Sequence, residues 1–235
     1  MSRVMREIFL DGPGKNALST KVMRAALFGI ASAPEEPLLV SGRGDAFSAG
    51  LNLKEIATLD DEGLASFLVL LDDLVVALYN HPAPVVAHVN GHAIAGGCII
   101  AMCADVRVAT SEPSVRIGLN EVALGLEFPP RILKLARARI APHAIDRVLL
   151  EAGLHAPLDA LRMGLVDEVA DDSAAVARSI CEKLATHPHE TYRATKRSLR
   201  AHVLDLHELE MAHFRDVMLP LWCTRRGFLA EILAR

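Results

Sequence analysis

The chain has 235 residues, of which 51% are hydrophobic and 23% charged, and its net charge at pH 7 is −4. This apolar content excludes intrinsic disorder, and an acidic balance without a long basic run excludes nucleic-acid binding through a cationic patch. One Trp, two Tyr and seven Phe are too few for a base-stacking platform.

In chain order, Arg6–Leu10 reads as a short strand stopped by Gly12-Pro13-Gly14. Ser19 offers a cap to a helix whose Val22, Met23, Ala26, Leu27 and Ile30 recur at steps of three and four. Residues 38–40 form a buried strand. A helix from about Asp60 places Leu64, Phe67, Leu68, Leu71, Leu74, Val75 and Leu78 on one face. Residues 85–104 contain no Asp, Glu, Lys or Arg and are long enough to span a bilayer. His88, Asn90 and His92 make a membrane helix costly there, and Gly91, Gly96 and Gly97 weaken any helix. A strand over Val85–Val89, a glycine turn and a buried helix over about residues 98–103 fit better, so no membrane is expected.

Residues 106–108 and 115–117 follow as short strands. Beyond Pro130 the pattern turns helical, interrupted by a strand at residues 165–169. Strand–helix alternation argues for an α/β core. Cys98, Cys103, Cys181 and Cys223 form no C-x-x-C pair and no Cys/His cluster of zinc spacing, so no metal is expected and a cytoplasmic setting fits. No signal peptide is legible after Met1.

Two glycine-containing turns carry chemical potential. Residues 46–53 read Ala-Phe-Ser-Ala-Gly-Leu-Asn-Leu, and residues 90–98 read Asn-Gly-His-Ala-Ile-Ala-Gly-Gly-Cys. Small residues let backbone N–H groups face a cavity, and a helix starting at Gly96 adds partial positive charge. Two such amides converging on one oxygen form an oxyanion hole. Taken singly, either stretch is also what an ordinary tight turn requires. The second begins like a phosphate-binding loop, but Gly97 and Cys98 stand where Lys and Ser/Thr are needed. No G-x-S-x-G is present, so Ser48 is not placed as a nucleophile.

Glu121 lies in an apolar run between Gly118 and Gly125. A carboxylate in an apolar pocket is costly to ionise, which lifts its pKa toward the range of a general base. A surface or ion-paired glutamate is the alternative. His92 reads as a packed or hydrogen-bonded histidine and Asp105 as a structural cap or ion-pair partner.

Together the three segments resemble the crotonase (enoyl-CoA hydratase/isomerase) superfamily, from about residue 14 to residue 169 with a weaker helical tail. The specific part is F-S-A-G-L-N-L followed about forty residues later by N-G-H-A-I-A-G-G-C. The resemblance implies an α/β spiral of β-β-α units over residues 1–170. A helical region over 171–235 would serve as lid and assembly element in a homotrimer or hexamer. It implies an acyl-CoA thioester substrate and no separate cofactor. It makes the Leu51 and Gly96 amides the oxyanion hole and Glu121 the catalytic acid/base. Ala49, Gly50, Asn52, Leu53, Lys54 and Asn120 become substrate-binding residues, with Lys54 near the CoA phosphates. Lys196 and Arg197 are weaker phosphate candidates, and Arg225, Arg226 and Phe228 would cap a neighbouring subunit's pocket.

Hydratases of this superfamily carry a second glutamate where this chain has Ile99. Glu121 kept beside Ile99 resembles the mitochondrial-type Δ3,Δ2-enoyl-CoA isomerases, with a weak hydratase or a catalytically silent acyl-CoA-binding homologue as alternatives. Two departures stand out. Only one strand fits before Gly12, where the family has a hairpin. Residues 127–130, Glu-Phe-Pro-Pro, replace a glycine-rich turn, which makes Glu127 a candidate second acid.

Overall fold

The computed structural model describes residues 4–232, with side chains to residue 226. Eight strands are divided between two parallel sheets: β1 (Arg6–Leu10), β2 (Leu38–Gly42), β3 (Ala46–Ser48), β4 (Val85–Val89), β5 (His92–Ile94), β6 (Val106–Thr110), β7 (Ile117–Gly118) and β8 (Glu168–Ala170). The larger sheet runs β1-β2-β4-β6-β8 and the smaller β3-β5-β7. The pairs β2–β3, β4–β5 and β6–β7 each lay one strand in each sheet before the chain turns helical, while β1 and β8 lie at the two edges of the larger sheet. Arg6 pairs in register with Leu38, Leu38 with Val85, and Val86 with Val106.

The spiral turns its corners on side-chain amides. Asn90 accepts from the Gly42 N–H at 2.9 Å and donates to the Gly44 carbonyl at 2.9 Å. Buried Asn16 donates to the carbonyls of Arg43 and Ala46, both at 2.8 Å. These bonds satisfy backbone groups that corners would otherwise leave unpaired inside the protein.

The helices follow their sequence signals. Ser19 caps Thr20–Ala31, its hydroxyl accepting from the Val22 N–H at 3.2 Å, and Val22, Met23, Ala26 and Ile30 are buried while Leu27 is half-buried. Asp60 caps Asp61–Tyr79, its carboxylate accepting from the Gly63 N–H at 2.7 Å. All seven apolar residues expected on that helix's inner face are buried. Residues 85–104 divide into β4, β5 and the wholly buried helix Gly96–Met102. No helix among the described residues is long and apolar enough to cross a membrane.

Three strand expectations need correction. β3 and β5 lie inside the two segments read as turns; three-residue strands are too short to show alternation. Val115 and Arg116 precede the two-residue β7, and the last strand starts at Glu168 instead of residue 165. Leu165 and Val166 are apolar because they are buried in the approach loop, not because they pair in a ladder.

Beyond residue 170, Ser173–Ala185 packs Ala177 and Cys181 onto Leu39, Val86 and Val108 of the larger sheet. His189–Leu204 is clamped to the core by buried charges. The Asp105 carboxylate accepts from the Val85 N–H at 2.7 Å and pairs with Lys196 at 2.8 Å and Arg200 at 2.7 Å. Arg200 also donates to the carbonyls of Tyr79, Cys103 and Ala104, at the C-terminal ends of two helices, where a cation is favoured. Asp105 is therefore a structural pair, as expected. Lys196, in contrast, is turned into this cluster and is not free to meet a CoA phosphate; Arg197 beside it is exposed.

The last helix, Leu219–Ile232, folds back onto its own chain. Arg226 pairs with Asp61 at 3.0 Å, and the Trp222 indole N–H donates to the Glu127 carbonyl at 3.3 Å. The described part of this helix thus packs against its own chain. The Phe228 side chain lies outside the described residues.

Candidate active site

β3 ends in a turn that presents one unpaired amide. Ser48 donates its hydroxyl to the Asn16 carbonyl at 2.8 Å, and its oxygen accepts from the Gly50 N–H at 3.2 Å. The Ala49 N–H donates to the Lys15 carbonyl at 2.9 Å, the Asn52 N–H donates to the Leu18 carbonyl at 3.0 Å, and the Gly50 carbonyl accepts from the Leu18 N–H at 2.7 Å. The Leu51 N–H between them has no acceptor among the described residues. Gly50 has φ +94°, and a Cβ there would stand 2.8 Å from the Ile94 carbonyl, so the turn needs glycine.

β5 delivers the second amide. Ala95 has φ 47° and ψ −120°, a conformation that costs a non-glycine residue roughly 1–3 kcal/mol. Its N–H is tied to the Gly118 carbonyl at 2.8 Å and its carbonyl accepts from the Ile99 N–H at 3.0 Å, so both sides of the kink are held. The kink starts helix Gly96–Met102, whose first N–H has no partner within the helix. The two amides are close together: a Cβ on Gly96 would lie 3.4 Å from the Leu51 nitrogen and press against Leu51 and Leu18 side chains at 3.1 and 3.2 Å.

Glu121 opens a short 3-10 turn, Val122–Leu124, after β7. Its carbonyl accepts from the N–H groups of Leu124 and Leu126 at 3.0 and 2.9 Å, which fixes its backbone. The residue is 6% exposed and its Oε2 has no hydrogen-bond partner among the described residues. Burial raises its pKa to about 7, against the opposing pull of its own and Asn120's backbone amides. The Asn120 Oδ1 is likewise buried without a partner among the described residues. Two unsatisfied acceptors side by side in one wall are unusual in a folded interior and mark a place where a ligand supplies the missing contacts.

These groups meet in one cavity of about 180 Å³. Ala49, Leu51, Leu53, Gly96, Asn120 and Glu121 all line it, together with Ile99, which is 3% exposed. The remaining wall is apolar and includes Leu68, Leu71, Phe128, Ile132 and Trp222. The sequence reading missed this wall. Trp222, the chain's single tryptophan, carried a signal in its rarity, but periodicity could not bring it to a pocket whose other lining residues all precede Pro142 in the chain.

Four expected residues stand elsewhere. Gly50 shapes the turn without lining the cavity. Asn52 caps helix Leu53–Ile56, its Oδ1 accepting from the Glu55 N–H at 3.2 Å, so its side-chain oxygen has a structural duty. Lys54 is exposed on that same helix, outside the cavity wall. Glu127 is turned outward to His213 at 2.8 Å, because its neighbour Phe128 takes the inward position; it is not a second acid in the pocket. Glu121 is thus the one carboxylate in the cavity lining among the described residues. His92 accepts from the Arg116 N–H at 3.0 Å and is half-buried, in keeping with a hydrogen-bonded histidine.

Known proteins share this arrangement of chain. The family described as enoyl-CoA hydratase/isomerase matches residues 2–220. The mitochondrial enoyl-CoA delta isomerase 1 of Mus musculus is 33% identical over 170 residues, 72% of this chain and 59% of that protein. The mitochondrial enoyl-CoA hydratase domain-containing protein 3 of Danio rerio is 29% identical over 197 residues, 76% of this chain and 65% of that protein. The chain therefore spans less than two thirds of the length of these relatives. Among solved structures, an enoyl-CoA hydratase/isomerase family protein from Pseudomonas syringae superposes with a TM-score of 0.85 at 26% identity, covering 91% of this chain and 94% of that one. Human mitochondrial delta3-delta2-enoyl-CoA isomerase superposes equally well, with a TM-score of 0.85 at 24% identity over 95% of this chain and 90% of that one. With two free amides and a buried glutamate on a spiral that these proteins share, the chain belongs to the enoyl-CoA hydratase/isomerase family.

Proposed function

We propose that the protein is a Δ3,Δ2-enoyl-CoA isomerase that moves a double bond with a single glutamate. The observation that carries the reading is Glu121 alone: the cavity contains this carboxylate and, where a second would hold a water, Ile99. Hydration needs a water gripped and activated, and a lone carboxylate in an apolar wall is poorly equipped for that. A double-bond shift needs only one group that takes a proton and returns it.

In the proposed reaction the thioester oxygen of a 3-enoyl-CoA sits between the Leu51 and Gly96 amides. Glu121 removes a proton from C2, and the C–H electron pair moves into the thioester to give a dienolate. The charge gathers on the oxygen, where each preorganised donor is worth on the order of 3 kcal/mol. Glu121 then returns the same proton to C4, and the double bond comes to rest between C2 and C3. A pKa of about 7 suits both halves, since the group is neither too weak to abstract nor too strong to release. Ala49 and Leu53 would flank the thioester and Asn120 would orient substrate or base, while exposed Lys54 would meet the CoA phosphates as they reach solvent.

The chemistry needs no cofactor beyond the CoA of the substrate itself. Assembly as a homotrimer or hexamer and residence in the cytoplasm belong to the same proposal. The test is a panel of 3-enoyl- and 2-enoyl-CoA thioesters with the wild type and Glu121→Gln. Conversion of 3-enoyl to 2-enoyl thioesters that fails in the variant supports the reading. Faster water addition to 2-enoyl-CoA than isomerisation would replace it with a hydratase, and binding without any turnover would replace it with a silent acyl-CoA-binding protein.

A further inference from the structure

A cavity of about 480 Å³ lies at the C-terminal end of helix Gly96–Met102, opposite the end that carries the Gly96 amide. It shares no lining residue with the catalytic cavity. Its wall is built on helix His189–Leu204, which contributes buried Lys196 and Arg200 and exposed Thr191 and Thr195. Asp105 and Arg139 complete its polar lining from the core side.

The charges in this wall do not balance. Arg139, Lys196 and Arg200 face one carboxylate, and Asp105 is already engaged by Lys196, Arg200 and the Val85 N–H. Arg139, in the last turn of helix Pro130–Arg139, pairs with no carboxylate among the described residues. Its Nη2 donates to the carbonyls of Ala104 and Asp105, while its Nε is buried without an acceptor and its Nη1 has none among the described residues. The nearby Asp167 is spent on Arg107, with bonds of 2.8 and 2.7 Å. Burial and the charges of Arg107 and Arg200 pull the Arg139 pKa down to about 10, so it still holds its proton at neutral pH. Two positive charges are thus left over, and a cation withdrawn from water without a partner is costly. The Thr191 and Thr195 hydroxyls, one helical turn apart in the same wall, also have no acceptor among the described residues. The cavity offers charge and donors, and it has no free carboxylate to attract a metal ion or a basic ligand.

We propose that this cavity binds a doubly charged phosphate group, free or carried on a small ester, with Arg139 as its ion-pair partner and Thr191 and Thr195 as hydroxyl donors. A phosphate monoester carries about −1.5 to −2 at pH 7, which matches the two surplus charges. An arginine with unused donors is the side chain best suited to its oxygens. The site is independent of the isomerase reading, because it shares neither residues nor chemistry with the catalytic cavity.

The experiment titrates inorganic phosphate and phenyl phosphate against the whole protein by calorimetry at constant ionic strength, with the melting temperature read in parallel. Thr195→Glu puts a carboxylate where the anion would sit, at an exposed position that accepts the change, and Thr195→Gln is its uncharged match. Saturable binding of phosphate to the wild type is expected. Equal affinity for the two probes identifies the free ion as ligand, and tighter phenyl phosphate identifies an ester whose body packs on Tyr192 and Pro188. Phosphate affinity should fall by about tenfold or more in Thr195→Glu and stay close to the wild type in Thr195→Gln. Without phosphate, Thr195→Glu should melt about 2–4 °C above Thr195→Gln, since its carboxylate meets the surplus charge from within. Absence of saturable binding, or phosphate affinity and melting temperature that are the same in both variants, would overturn the site.

Discussion

Glu121→Gln should stabilise the protein while abolishing its chemistry, and the size of the gain follows from one number. In the folded chain burial holds the Glu121 pKa at about 7, against 4.5 for the same group in water. Each pKa unit corresponds to 1.36 kcal/mol, so ionising Glu121 in its pocket costs the folded state ~3 kcal/mol at pH 8. Because the folded state holds this proton more tightly than the unfolded chain, stability contributed here is full below pH 4.5. It falls as pH rises toward 7 and stays lost above. The amide cannot ionise, so the variant escapes this loss. Urea unfolding at pH 8 should show Glu121→Gln more stable than the wild type by up to ~3 kcal/mol, shrinking toward zero near pH 4.5. In the same preparations kcat/KM should drop by about 10² or more, the usual scale for a general acid/base. A variant equally or less stable than the wild type at both pH values would refute the claim that this carboxylate is buried and unpaired.

Other outcomes follow from the same geometry. The wild-type kcat/KM should rise with pH up to about 7 and then level off, since only ionised Glu121 abstracts a proton; a profile flat from pH 5 to 9 would contradict this. Gly96→Val would place a side chain 3.4 Å from the Leu51 nitrogen and should lower kcat by about 10²–10³ with an unchanged circular dichroism spectrum. Ile99→Glu brings a second carboxylate into the cavity, which should push the pH midpoint above that of the wild type by like-charge repulsion and allow measurable hydration of 2-enoyl-CoA. Asp105→Ala strands the buried cations of Lys196 and Arg200 and should cost ~3–5 kcal/mol in urea unfolding while leaving the pH midpoint of activity in place.

β2 and β4 of the larger sheet were legible because they are apolar runs that directly follow Pro37 and Pro84, and the Thr20–Ala31 and Asp61–Tyr79 helices because cap and periodicity agree at Ser19 and Asp60. The strand read at residues 115–117 meets the two-residue β7 only at Ile117, whereas β3 and β5 escaped, having three residues each, too few for a period-two signal. The same shortness made them look like turns, which is also why the amides beside them could be picked out. The chemical groups of the site were therefore easier to find than its container. Glu121 stood out as an acid among apolar neighbours, whereas Trp222, Phe128 and Ile132 look like any other core residue until the fold brings them together. Two charged residues misled for physical reasons. Lys196 is a cation consumed by a buried carboxylate, and Glu127 is an acid turned out by the aromatic side chain that follows it. Local sequence does not say which way such a side chain points.

The central claim is that one carboxylate carries one proton across the substrate. A 3-enoyl-CoA deuterated at C2, turned over in ordinary water and read by NMR, tests it directly. The account predicts deuterium at C4 of the 2-enoyl product in the wild type and neither turnover nor transfer in Glu121→Gln. Product formed rapidly with the hydrogen added at C4 drawn wholly from solvent, or formed as well by Glu121→Gln, would contradict it.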